Sequence, residues 1–83
     1  MEHATVIIRR NSGIVEKFQI PYKKQVNHKL QLAEALRERS YFVPTSTDYK
    51  LGLDESKLEV DATACMILNE IVVTHVKSYK EVI

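Results

Sequence analysis

Residues 4–20 read Ala-Thr-Val-Ile-Ile-Arg-Arg, then Asn11-Ser12-Gly13, then Ile-Val-Glu-Lys-Phe-Gln-Ile. Val6 and Ile8 alternate with Thr5, Ile7 and Arg9. Beyond the turn, Ile14, Phe18 and Ile20 share one side, against Val15, Lys17 and Gln19. Period-two alternation with β-branched enrichment predicts a half-buried hairpin. Gly13 supplies the positive φ that such a turn needs, and Asn11 tolerates it. A lone hairpin is marginal in water, so the rest of the chain has to cover its apolar face.

The cover lies just downstream. Pro21 closes the second strand because it cannot donate to a ladder. After a polar connection to Val26, Asn27 is a good N-cap, and the following His-Lys-Leu-Gln-Leu-Ala-Glu-Ala-Leu-Arg-Glu-Arg is rich in helix formers. Leu30, Ala33 and Leu36 fall on one face behind Val26, with Leu32 and Ala35 flanking. Arg37 and Arg39 suit the negative end of the helix dipole. Pro44 to Asp48 reads as a loop. Tyr49-Lys-Leu-Gly-Leu53 alternates and predicts a third strand, and Leu58 and Val60 a short fourth. Asp61 to Leu68 predicts a single helical turn, and Asn69-Glu70 a turn. Ile71-Val-Val-Thr-His-Val76 is the strongest strand signal, and so long an apolar run predicts a central strand with both faces covered.

That order is the order of the ubiquitin-like β-grasp fold, an α+β class with a mixed four- to five-stranded sheet wrapped on one helix. There the last strand lies centrally beside the first, and the helix provides the crossover that parallel neighbours need. The alternative, a split β-α-β sandwich of the ferredoxin-like kind, needs a second full helix within 61–68.

The chain has 83 residues, the length of one domain spanning 1–83 with an ordered core of about 4–77. Twelve Lys and Arg against 11 Asp and Glu leave a net charge of +1, so the whole-molecule field makes no case for nucleic acid or an anionic membrane. Cations crowd the first half (Arg9, Arg10, Lys17, Lys23, Lys24, Lys29, Arg37, Arg39), and acids cluster at Asp48, Asp54, Glu55, Glu59 and Asp61. Cys65 is the single cysteine and excludes an internal disulfide, which points to a reducing, cytoplasmic setting. No secretory signal or membrane-spanning run is present, since Arg9 and Arg10 interrupt the first apolar stretch.

Within the ubiquitin-like superfamily the chain resembles the lobes of FERM heads, in particular talin's amino-terminal lobe, and more loosely the Ras-association domains. The resemblance runs from about 4 to 77. It is carried by Ile14–Ile20, by Ala35-Leu-Arg-Glu-Arg39, by Asp48–Leu53 and by the Pro/Ser/Thr loop between them. It implies a non-catalytic protein-binding module of a larger cytoskeletal or adaptor protein. Such a module adds its second strand to the sheet of a Ras-type GTPase, while basic side chains meet acidic switch residues. Lys17, Lys29 and Arg39 would carry the contact, with Arg9 and Arg10 behind them. Glu16 and Glu34 depart from the pattern, standing where the talin-like lobe has basic residues. The alternative is a scaffold module that self-associates weakly or pairs with a neighbouring domain.

No catalytic constellation, cofactor motif or metal-ligand spacing emerges. His3, His28 and His75 bear no ligand spacing to one another or to Cys65. Cys65 lacks a Cys–His signature and reads as a small buried residue. Glu55, Glu59 and Asp61 lack the alternating oxygens and central glycine of a calcium loop. Lys23-Lys24 has no phosphate cradle beside it. The chain ends Lys80-Glu-Val-Ile83, without the Gly-Gly tail of a conjugated modifier or sulfur carrier.

Overall fold

The computed structural model describes residues 2–82. The elements run β1 (His3–Arg10), β2 (Val15–Pro21), α1 (His28–Glu38), α2 (Ser46–Lys50), a 3-10 turn (Glu55–Lys57), β3 (Leu58–Leu68) and β4 (Ile71–Glu81). The four strands form one sheet in the order β2-β1-β3-β4, and every pair is antiparallel. The domain is therefore a small α+β unit with one main helix on one face of its sheet.

The hairpin forms as the alternation requires. Ala4, Val6 and Ile8 are fully buried, while Thr5, Ile7 and Arg9 point to the opposite face. Gly13 sits at φ 97°, and Gly13 N donates to Arg10 O at 2.9 Å. Asn11 has another role than the one expected. Its amide Nδ2 donates to Val60 O at 2.6 Å and its backbone N to Asp61 O at 2.9 Å, fastening the turn to β3.

The helix is capped by Asn27, whose Oδ1 accepts from Leu30 N at 3.2 Å. Leu32 and Leu36 are the fully buried anchors, whereas Leu30 is 47% exposed. The buried stripe is thus rotated from the one the spacing predicts. It runs through Gln31, Leu32, Ala33, Ala35 and Leu36, and a polar residue lies within it. Gln31 is tolerated there because both its N–H donors and its carbonyl oxygen find partners. Nε2 donates to Lys23 O at 2.7 Å and Val26 O at 2.8 Å, and Oε1 accepts from Lys23 N at 2.9 Å. The larger side chains of the core beneath are Val6, Ile8, Leu32, Leu36, Tyr41, Val43, Met66 and Val76, with Ala4, Ala33, Ala62 and Ala64 between them.

Three expectations are corrected. Residues 49–53 do not form a strand. Thr45 and Asp48 make a reciprocal capping box that starts α2, and Gly52 at φ 102° ends it. Leu53 N donates to Asp48 O at 3.1 Å and Gly52 N to Tyr49 O at 3.2 Å, the 6→1 and 5→2 bonds of a Schellman stop. Both signals stand in the sequence, but the alternation of Tyr49, Leu51 and Leu53 masks them.

Residues 61–68 are not a helical turn but the body of the 11-residue β3. Ala62, Ala64 and Met66 face the helix, and Thr63, Cys65 and Ile67 face away. Alanine favours helix intrinsically, yet pairing on both sides of this strand overrides the propensity. With no second helix in this stretch, the split β-α-β alternative falls.

The last strand is not central and has no parallel neighbour. β4 lies at the sheet's edge, with Ile71 65% exposed and Val72 46% exposed, while β1 and β3 hold the middle. Its apolar run reflects β-branched strand preference at an edge rather than burial on both faces. Asn69 (φ 51°) and Glu70 (φ 66°) connect β3 to β4 in a two-residue turn with both residues left-handed, the form that matches strand twist.

Candidate functional site

Hydrogen-bond direction along β2 follows from its register. Arg10 N donates to Ile14 O at 2.9 Å and Tyr22 N to Glu2 O at 2.9 Å, so even-numbered residues of this strand bond to β1. The N–H and C=O groups of Val15, Lys17 and Gln19 therefore face outward from the sheet. No element among the described residues pairs with them, because β2 is the terminal strand. Pro21, with no N–H to offer, ends this edge.

Beside the edge runs a groove between β2 and α1, about 510 Å³ in volume. Ile20, Val26 and Ala35 form its apolar floor, Glu34 and Glu38 its helix wall, and Lys23 its end. The 22–27 connection that shapes it is held by Gln31 and by the Tyr22 OH, 2.7 Å from His28 Nε2.

At the other end of the groove lies a cluster built on Glu16. The Tyr41 OH donates to Glu16 Oε1 at 2.6 Å and accepts from Arg10 Nε at 2.8 Å. Arg10 Nη2 and Arg39 Nη1 reach Glu16 at 3.4 Å each. The Arg39 guanidinium stands 3.5 Å over the Phe18 ring, and that of Arg10 lies 5.0 Å from the Tyr41 ring centre. Burial, then the bond to Glu16, pushes the Tyr41 phenol above its ordinary value. The Tyr41 hydrogen bond raises the Arg10 guanidinium further. Glu16 thus faces the helix side, where two cations and a phenol neutralise it, and Lys17 faces the other side.

The four expected contact residues, Arg9, Lys17, Lys29 and Arg39, do not form one patch. Arg9 and Lys17 share the sheet's open face, where Arg9 opposes Val15 and Lys17 opposes Ile7 in the β1–β2 register. Lys77 joins them two strands away, across Thr63 from Arg9. Arg39 caps the C-terminus of α1 and is engaged with Glu16 and Phe18 on the covered face. Lys29 sits in the first turn of α1 and lines a different depression, near β4. Ten residues of helix, about 15 Å, separate it from Arg39. The sequence reading missed the groove walls Glu34 and Glu38 as a pair, although their i, i+4 spacing places them together.

The acids of the second half do not form a counter-patch. Glu59 pairs with Lys80 at 3.1 Å, Asp48 is consumed by its capping box and Asp54 accepts from Ser56. The bonds from Thr45 and from Ser56 hold these two carboxyls below the ordinary carboxylate range. Among the described residues, no three His, Cys, Asp or Glu side chains gather as metal ligands, and no helix is long and apolar enough to cross a membrane. No family model, no curated protein and no solved structure matches this chain.

Proposed function

We propose that the domain is a non-catalytic protein-interaction module that takes an extended segment of a partner against β2. The observation that carries this reading is the outward backbone of Val15, Lys17 and Gln19 beside the α1–β2 groove. An added strand would satisfy those groups, and its alternate side chains would enter the groove. Glu34 and Glu38 favour cationic or apolar side chains on the groove side. Lys17 and Arg9 favour acidic ones on the open face.

A Ras-type GTPase is the narrower form of the proposal, supported by Lys17 and Arg9 beside the edge and by the tying-up of Glu16 on the other face. A relation to ubiquitin-like modules is supported by the opening hairpin and the helix crossing one sheet face. The single, half-buried Cys65 is compatible with a cytoplasmic setting. Self-association is a second reading, favoured by the outward backbone of β4 at the other end of the sheet, which a second copy's β2 could extend head to tail.

The test uses Gln19→Pro. The Gln19 N–H points away from β1, so proline there removes an edge donor without cutting a ladder bond. Peptides selected against the native domain from a displayed library should shift the amides of Val15, Lys17 and Gln19, and should not bind the variant. Selected peptides that shift other amides, or that bind the variant equally, overturn the reading. GTP-loaded and GDP-loaded Ras-family proteins giving equal, negligible shifts would end the GTPase form. Sedimentation as a monomer at high concentration, unchanged at low salt, would end self-association.

A further inference from the structure

The face of the sheet turned away from α1 is defined row by row by the strand register. In one row Lys17 of β2 stands beside Ile7 of β1, Ile7 beside Cys65 of β3, and Cys65 beside His75 of β4. In the next row Thr63 of β3 separates Arg9 of β1 from Lys77 of β4. Ile67 continues the middle of the face on the other side. The core packing of α1 lies against the opposite face, and α2 buries none of its own residues. Arg9, Lys17 and Lys77 are exposed, and no carboxylate stands in their rows, although the chain holds 11 acids. Asp61 falls at the bulge in β3, where its field reaches Arg10. The ion pairs of the described residues engage Arg10, Arg39 and Lys80 but none of these three cations.

The face is also graded across its width. Ile7, Cys65 and Ile67, on the two middle strands, are half-buried, while Lys17 and Lys77 stand on the two outer ones. An aliphatic strip flanked by cations matches an element that is apolar along its middle and acidic at its sides. Width decides which element. Three strand spacings separate the outer strands, roughly 14 Å, and a helix with its side chains is about 10–12 Å across. A helix laid along β1 and β3 therefore sets its apolar stripe on Ile7 and Ile67 and its flanks over Lys17 and Lys77. Single-stranded nucleic acid fits less well, because no Phe, Tyr or Trp stands in these rows to stack a base. A second copy offers no such helix, since the apolar stripe of α1 is buried in its own core.

We propose that this face docks an amphipathic helix of an acidic partner, whose apolar stripe rests on Ile7, Cys65 and Ile67 and whose flanking carboxylates meet Lys17, Arg9 and Lys77. The site is a face rather than an edge. It shares Lys17 and Arg9 with the β2 reading and is marked off from it by Lys77, two strands from Arg9.

The ¹⁵N-labelled native domain is titrated with a helical peptide of about 18 residues, five turns long, that carries a leucine stripe flanked by glutamates. The same peptide with lysine at each glutamate position, and oligothymidylate, are titrated beside it. The expected result is saturable shifts of the Ile7, Cys65 and Ile67 amides with the glutamate peptide, weakening as salt is raised, and none with the lysine peptide. Arg9→Glu and Lys77→Glu alter exposed side chains and should leave the remaining spectrum in place. Each should weaken binding ~5-fold, the loss of one exposed attraction and the gain of one repulsion. Lys24→Glu, an exposed lysine outside these rows, should change nothing. Gln19→Pro should leave this titration unaltered, and Lys77→Glu should leave the β2-edge peptides bound, so the two readings fail separately. Failure of the glutamate peptide to saturate, equal response to the lysine peptide, a stronger response to oligothymidylate, or undiminished binding by both variants would overturn the proposal.

Discussion

Ser78→Ala should make the domain more stable, although it deletes a polar atom from the sheet. Ser78 is fully buried on the helix side of β4, opposite the fully buried Ala62, and its Oγ has no hydrogen-bond partner. A buried hydroxyl left unsatisfied forfeits the hydrogen bonds it made to water, a cost of about 1–3 kcal/mol. Deleting one oxygen loses a few dispersion contacts at about 0.1–0.2 kcal/mol each, on the order of 0.5 kcal/mol. The net gain is about 1 kcal/mol, which for a domain of this size raises Tm by about 4–8 °C. Urea unfolding followed by circular dichroism measures it, and the slope against urea should not change, because the surface exposed on unfolding is the same. Equal or lower stability of the variant would refute the reasoning. It would mean that the hydroxyl is satisfied in solution, by a strand carbonyl or a trapped water, and that this β4 position was chosen for its polarity.

Two further outcomes test other parts of the structure. Tyr41→Phe removes the bonds to Glu16 and Arg10 and should cost about 1–3 kcal/mol at neutral pH. Because burial and Glu16 raise the Tyr41 phenol above its ordinary 10.0, the folded chain holds a proton that the unfolded chain releases near that pH. The stabilisation is present below about pH 10 and is lost as pH rises through the folded value, so the variant's stability should fall less steeply there. Parallel alkaline profiles for the two proteins would contradict this. Asn27→Ala deletes the side-chain acceptor of Leu30 N and should lower stability by about 1 kcal/mol in thermal melts, with Asn27→Asp recovering most of it.

The candidate site was legible only in parts. Lys17 on an edge strand and Arg9 beside it could be read from alternation, because a hairpin places alternate residues on one face whatever follows. Arg39 could not be read as engaged. Its partner Glu16 lies 23 positions away in the chain, and the Phe18 ring that it covers is nearly as distant. Lys29 stands with Lys17 and Arg39 only through the shared charge that the resemblance calls on, yet the two ends of α1 serve opposite edges of the sheet.

Local pattern by itself settled the opening hairpin, the helix with its Asn27 cap and the Asn69-Glu70 turn. Each depends on contacts between residues a few positions apart, or on a backbone conformation that few residue types adopt. Tertiary pairing alone decided that 61–68 is strand, that β4 is an edge and that β1 pairs with β3. The alternation of Ala62, Ala64 and Met66 competes with alanine's helix preference, and the ladders on both sides of β3 tip the balance. Strand order is likewise invisible to periodicity, since an apolar β-branched run looks the same whether it is buried on both faces or left at the rim.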